Sequence, residues 1–201
     1  MIKLLEGMET QGEGNISWFP NREDTLKQFL MAYPPKVIVE IGFCMGHSMK
    51  LIIDTLTEKN NCLGCDYSGI EKIYVFDICE GTNNGIGGNH NYVKPNFEIM
   101  KKHYKDIDMI LIEGDSLETV KPFMDSLEGG VDFIEIDGFH EGINPAKDIE
   151  NTIDKLNIGG YIYVDDYNNQ YTAIKNAVDN RNWSDFDTFY YQDVFIARKI
   201  R

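Results

Sequence analysis

Five short runs rich in Val, Ile and aromatic residues, separated by stretches of helix length, constrain this chain more than any other feature. They are Val37–Ile41, Ile73–Asp77, Met109–Glu113, Phe133–Asp137 and Tyr161–Asp165. None alternates cleanly between apolar and polar residues, so a strand built from one buries both faces, as in a parallel sheet covered by helices on either side. Stretches near 47–59, 96–105, 116–127, 145–156 and 170–180 read as those helices. Two further runs, Thr188–Tyr191 and Val194–Ala197, are separated only by Gln192 and Asp193, which suits a closing antiparallel hairpin. The expected fold is α/β: a doubly wound, seven-stranded, mostly parallel Rossmann-like sheet with an antiparallel C-terminal hairpin. A chain of 201 residues makes one such domain, read here as 34–201 behind an N-terminal cap segment at 1–33.

Composition excludes several classes. A hydrophobic fraction of 42% and a charged fraction of 26% are those of a soluble globular protein. The net charge of −14 repels phosphate backbones, so no nucleic-acid partner is expected. The basic cluster KKHYK at 101–105 is offset by Asp106 and Asp108. No run approaches the roughly 18 apolar residues of a membrane span, and MIKLLEGMETQGEG lacks the apolar core of a signal peptide. A cytoplasmic protein with no membrane partner is the expectation. Cys44, Cys62, Cys65 and Cys79 read as reduced thiols; Cys62-Leu63-Gly64-Cys65 lacks the second pair of a zinc knuckle. The Gly- and Asn-rich stretch 80–91 is a surface loop or a substrate lid. The stretch 7–21 is a fraying terminus or a cap, with Trp18 and Phe19 favouring docking.

The strand ends carry the chemistry. In open α/β sheets, ligands bind beyond the carboxyl ends of the strands, where the strand order switches. The first run ends in Glu40-Ile41-Gly42-x-x-x-Gly46-x-Ser48 and then opens a helix. Glycines there let the backbone approach a ligand, and the helix N-terminus offers N–H groups to an anion. The second run ends in Asp77, which can accept from both hydroxyls of a ribose; the third leads to Asp115 and Ser116, where Asp115 can accept from an adenine amino group. Taken singly, Asp115 or Ser116 is more often a helix cap than a ligand contact; their occurrence with the other acids at three successive strand ends favours the ligand.

Together with "LNIGGYIYVDDY", these motifs resemble the class I S-adenosylmethionine-dependent methyltransferases, and within them the metal-dependent O-methyltransferases of catechol and macrocin type. The resemblance runs over about residues 37–167, with "NNCLGCDYSG" lengthening the connection between Gly42 and Asp77. It implies that Glu40, Gly42, Gly46 and Ser48 line the methionine end of S-adenosylmethionine, that Asp77 holds the ribose, and that Asp115 and Ser116 border the adenine.

The fourth run ends in Asp137-Gly138-Phe139-His140, and the fifth in Asp165-Asp166. Neighbouring fourth and fifth strands would crowd three carboxylates together, and such a group repels itself unless a cation intervenes. Oxygen ligands suit Mg²⁺. The family places its metal acids at these positions, so Asp137, Asp165 and Asp166 are the implied Mg²⁺ ligands, with Asp137 also counted as catalytic. His140 falls where catechol-type members carry a lysine, and is the implied general base toward a small-molecule acceptor with adjacent hydroxyls. The alternative is a solvated residue starting a loop or helix. Glu135 is a carboxylate partner behind the site or a sign of a less buried strand; His47, beside the glycine loop, is expected to face solvent on the first helical turn, with contact to the cofactor as the alternative; Tyr167, Asn168 and Asn169 touch substrate or enter a helix. Two other readings keep the fold: a cephalosporin-hydroxylase-like enzyme, and a binding domain without turnover. The sequence leaves homo-oligomer formation open.

Overall fold

A computed structural model describes residues 3–8, 21–61, 68–79 and 90–201. The Cys62–Cys65 pair, Trp18–Phe19, and the 80–91 stretch up to residue 89 lie outside the described residues. Thirteen main elements follow one another: α1 (Arg22–Ala32), β1 (Val37–Ile41), α2 (His47–Asn60), β2 (Lys72–Asp77), α3 (Val93–His103), β3 (Asp108–Glu113), α4 (Ser116–Ser126), β4 (Val131–Ile136), α5 (Asn144–Ile153), β5 (Leu156–Val164), α6 (Thr172–Asp179), β6 (Phe186–Tyr191) and β7 (Val194–Lys199).

The strands form one seven-stranded sheet in the order β3-β2-β1-β4-β5-β7-β6. All pairs from β3 to β5 are parallel, and β7 pairs antiparallel with both β5 and β6. Strand residues alternate between two apolar layers. Ile38, Ile73, Val75, Phe133, Tyr161 and Tyr163 pack with Leu26 and Leu30 of α1, Ile52 and Leu56 of α2, and Phe97 and Met100 of α3. Val39, Ile41, Phe76, Ile134, Ile136, Ile162 and Val164 pack with Val120 of α4, Ile149 and Ile153 of α5, and Ile174 and Val178 of α6. Burial on both faces is the reason these strands lack polar alternation.

Two boundaries differ from the sequence reading. The 1–33 segment contains an 11-residue helix, α1, whose Leu26 and Leu30 are fully buried. Each contributes roughly 1.5–3 kcal/mol of apolar burial, which docks the helix onto the sheet. The fifth strand begins at Leu156, ahead of Gly159 and Gly160, because Leu156 pairs with Val131 before the register shifts at Val131/Phe133. Among the described residues, no helix is long and apolar enough to cross a membrane.

The order places β1 between β2 and β4, so the chain winds outward in opposite directions from the β1/β4 boundary. That boundary is the switch point, where a crevice opens at the carboxyl ends.

Candidate active site at the switch point

Gly42 follows β1 with φ of 95°, and a Cβ on it would lie 2.1 Å from the Asp137 carbonyl oxygen. Only glycine permits that approach, so the first loop is wedged against the end of β4. At Gly46 (φ 84°) a Cβ would fall 2.6 Å from the Phe43 ring and 2.9 Å from the Met100 sulfur. Asp77 ties the same loop down: its Oδ2 accepts from the Phe43 and Cys44 N–H groups at 3.0 Å each, and its Oδ1 accepts from Cys79 N–H at 2.9 Å. Its carboxylate, expected at a ribose, is therefore engaged with backbone donors and only 7% exposed. Asp115 caps α4, accepting from Leu117 N–H at 2.9 Å, as the capping alternative anticipated, and Ser116 is the first residue of that helix. No side chain caps the N-terminus of α2 behind Gly46. Its first-turn N–H groups therefore suit an anion such as an amino-acid carboxylate.

One layer below the rim lies an unusual row. Glu40 of β1 stands in register with Glu135 of β4, and Glu135 with Tyr163 of β5. All are buried. Ser48 donates its hydroxyl to Glu40 Oε1 at 2.6 Å, while Glu40 Oε2, Glu135 Oε2 and the Tyr163 hydroxyl have no partner among the described residues. Burial pushes Glu40 up to about 8 against that Ser48 hydrogen bond, with the charges of Asp137 and Asp77 adding to the rise. Burial and the neighbouring Glu40 carboxylate raise Glu135 as well. So Glu135 marks a buried strand, not an exposed one. His47 is also buried, at 6% exposure, which corrects its expected solvent-facing position; burial lowers its pKa.

At the rim itself, Asp137 N–H donates to Ile41 O at 2.9 Å and Asp165 N–H to Ile136 O at 3.0 Å, so the acids sit side by side at successive strand ends. Ligand atoms of Asp137, His140 and Asp166 all lie within 4.8 Å of one another. His140 spans the two carboxylates, with Nε2 3.2 Å from Asp137 Oδ1 and Nδ1 3.4 Å from Asp166 Oδ2. Its ring packs edge-on against Tyr171 at 4.8 Å. Burial would lower the His140 pKa, but the Asp137 hydrogen bond and the surrounding carboxylate charges outweigh it and raise the value.

Asp165 behaves differently. Its Oδ2 accepts from Arg22 Nη1 at 2.8 Å, and its Oδ1 is buried without a partner. Burial, then the Asp137 charge, holds Asp165 well above the ordinary carboxylate range despite Arg22. Arg22 Nη2 also donates to Asp166 Oδ1 at 2.8 Å, and the remaining edge of the guanidinium grips Asp193 in the β6–β7 turn through Nε and Nη2. Of the three acids expected to bind metal, Asp137 and Asp166 thus converge with His140, and Asp165 turns one oxygen to Arg22. Arg22 went unread in the sequence. The signal was there: Arg22, Leu26 and Leu30 form one i, i+4, i+8 stripe, so Arg22 lies on the buried face of α1.

Asn168 takes the helix-entry alternative, its Oδ1 accepting from Gln170 and Tyr171 N–H ahead of α6. The Tyr167 hydroxyl is bound to Asp179.

The carboxylates at the rim fit a hard divalent cation: oxygens of Asp137 and Asp166 converge beside His140, and a third, buried carboxylate oxygen next to them has no partner among the described residues. The first loop and α2 fit an amino acid's charged end. Methyl transfer would need both groups within reach of one acceptor, and the Gly42–Asp137 contact joins the two sites.

Residues 39–167, more than half of the chain, match a family model described as a methyltransferase domain. No curated protein matches the sequence at a significant level. Among solved structures, the O-methyltransferase NovP aligns with a TM-score of 0.66 at 17% identity, covering 90% of this chain and 80% of that one. The calicheamicin methyltransferase CalS11 aligns with a TM-score of 0.67 at 16% identity, covering 88% and 76%. An O-methyltransferase from Bacillus cereus in complex with SAH aligns at 0.63 and 15% identity, covering 96% and 84%. At these identities the likeness is one of fold.

Proposed function

The chain belongs to the methyltransferase-domain family, and from that premise we propose that it moves a methyl group from S-adenosylmethionine to a hydroxyl of a small molecule with adjacent hydroxyls, of sugar or catechol type. The observation that carries this reading is the convergence of Asp137, His140 and Asp166 beside the glycine loop. Such a cluster suits O-methylation, where a hydroxyl must lose its proton.

In this reading Glu40, Gly42, Gly46 and Ser48 border the methionine portion of the donor, Asp77 shapes the loop and faces the ribose side, and Asp115 with Ser116 borders the adenine. Asp137 and Asp166 hold Mg²⁺, with Asp165 as the adjoining acid. When bound, the donor supplies a methyl group on positively charged sulfur, and the cation supplies positive charge that makes a nearby hydroxyl more acidic. The chain's own groups do the rest. His140 takes the hydroxyl proton on a ring nitrogen, with Tyr171 holding the ring in place. The burial of Asp165 and the packed loop around Gly42 give the rim fixed groups against which acceptor and donor can be oriented.

Thermal unfolding with S-adenosylhomocysteine, with and without Mg²⁺ or EDTA, tests cofactor and cation together, and a screen of sugars and phenols then tests the acceptor. Stabilisation by the nucleoside that Mg²⁺ strengthens, followed by methylation of a diol, supports the reading. Nucleoside binding with no methylated product anywhere in the screen would favour a binding domain, and no nucleoside effect would sink both.

A further inference from the structure

Resting on the cation site just proposed, we infer that Arg22 is its positioning residue: the guanidinium fork fixes one oxygen of Asp166 so that the other is turned toward Asp137 and His140.

The geometry divides Asp166 cleanly. Oδ1 accepts from Arg22 Nη2 at 2.8 Å, and Oδ2 lies 3.4 Å from His140 Nδ1. A carboxylate pinned by one oxygen cannot rotate the other away. The restraint acts on a residue whose φ of 55° lies in the left-handed region, which Asp and Asn enter more readily than other side chains but which remains uncommon. Backbone strain of this kind persists where surrounding groups enforce it.

Arg22 is itself immobile. It is 2% exposed, and its other donors reach Asp165 and Asp193, so the fork is held by carboxylates on three sides. Asp193 lies below its ordinary pKa: burial alone would raise it, and the Arg22 hydrogen bond and charge reverse that. Along α1, the same stripe that carries Arg22 buries Leu26 and Leu30 completely. The seat of the guanidinium on the acids is thus tied to the docking of α1 on the sheet. Arg22 therefore shares the site with a cation instead of exchanging places with one.

Charge and shape make opposite predictions here, which gives the test its force. A plain counter-charge would repel a second cation, so its removal would tighten metal binding. A fork that orients ligands loses its effect when replaced by a lysine of equal charge, because an ammonium cannot bridge three carboxylates at fixed angles.

The experiment is a Mn²⁺ titration of the full chain saturated with S-adenosylhomocysteine, read from the resonance signal of free Mn²⁺. In Arg22→Lys, Mn²⁺ affinity falls by roughly 10- to 100-fold, the range seen when groups that orient metal ligands are altered, while S-adenosylhomocysteine affinity stays within about 2-fold. Unchanged Mn²⁺ affinity in Arg22→Lys, or tighter binding in Arg22→Met, overturns the inference and makes Arg22 a counter-charge. Should the variants fail to fold, the wild-type chain gives an independent reading through the ¹⁵N–¹H signal of Arg22 Nε. That signal persists through a Mg²⁺ titration if fork and cation coexist; its loss to solvent exchange on Mg²⁺ addition overturns the inference. A wild-type chain that binds no Mn²⁺ removes the cation site and this role together, an outcome distinct from failure of the fork alone.

Discussion

The two halves of the switch-point rim are built on opposite principles. On the β1/β2 side, the carboxylates at the rim are engaged within the chain: Asp77 accepts three backbone N–H bonds, Asp115 caps α4, and the glycines press against other atoms of the fold. On the β4/β5 side, carboxylates crowd one another, an oxygen of Asp165 is left without a partner, and Arg22 and His140 supply the positive charge in reach. The first region is a mould set by packing and backbone hydrogen bonds. The second is incomplete in charge, and incompleteness of that kind is what a cation corrects. Nucleoside binding should therefore depend on packing, and chemistry on charge.

Perturbing each side separately can break this contrast. The largest effect is expected from Asp166→Asn, since asparagine tolerates the left-handed backbone and the lesion falls on the carboxylate. Methyl transfer falls below detection and Mn²⁺ affinity drops by about 100-fold or more, with S-adenosylhomocysteine affinity retained. Equal loss of both affinities would show that the two halves are not separable. His140→Ala follows, slowing turnover by roughly 10²- to 10⁴-fold, the span of general-base contributions, with KM for S-adenosylmethionine little changed. A rate near wild type would remove His140 from proton transfer.

On the mould side, Gly42→Ala forces a Cβ against the Asp137 carbonyl at positive φ. Overpacking of this sort costs about 3 kcal/mol, seen as a fall in the urea midpoint; a midpoint equal to wild type would mean the loop is not wedged as described. Asp77→Asn removes an acceptor from the loop N–H groups and costs roughly 1–2 kcal/mol, with a severalfold loss of nucleoside affinity and unaltered Mn²⁺ binding.

The smallest effect concerns pH and lies away from the rim. Asp148 of α5 is fully buried, and among the described residues the Ser116 hydroxyl is near its carboxylate without making a well-formed hydrogen bond to it. Burial lifts it from the ordinary 3.8 to about 7, with the nearby Ser116 hydroxyl opposing and the Asp115 charge adding. The folded state then binds the proton more tightly than the unfolded state, so this contribution is complete below the unfolded pKa and is lost as pH rises through about 7. Asp148→Asn should flatten, without abolishing, the decline of melting temperature between pH 4 and 7, because Glu40 and Glu135 are raised in the same direction. An unchanged slope would mean that Asp148 is solvated.

Much of this architecture was legible before any coordinates, for a local reason. Runs such as Val37–Ile41 are apolar on both faces, and only a covered parallel sheet uses such runs in series. The acids at the ends of β4 and β5 could be placed together because the winding rule makes those strands neighbours. What escaped was non-local. The Arg22–Asp165 pair spans 143 residues, and no window of sequence holds both partners, although the helical stripe around Arg22 pointed inward. His47 escaped because the first turn of α2 packs inward, a matter of helix phase that one residue does not announce. The start of β5 was obscured by Gly159-Gly160, which reads as a break yet lies within a strand that shifts register.

The account stands on a cation between the ends of β4 and β5, and anomalous diffraction from crystals grown with Mn²⁺ and S-adenosylhomocysteine would locate it most directly. The prediction is a single strong peak at coordination distance from Asp137 and Asp166, with the Arg22 fork still seated on Asp165 and Asp166. A well-ordered rim that carries the nucleoside and shows no peak there would contradict it.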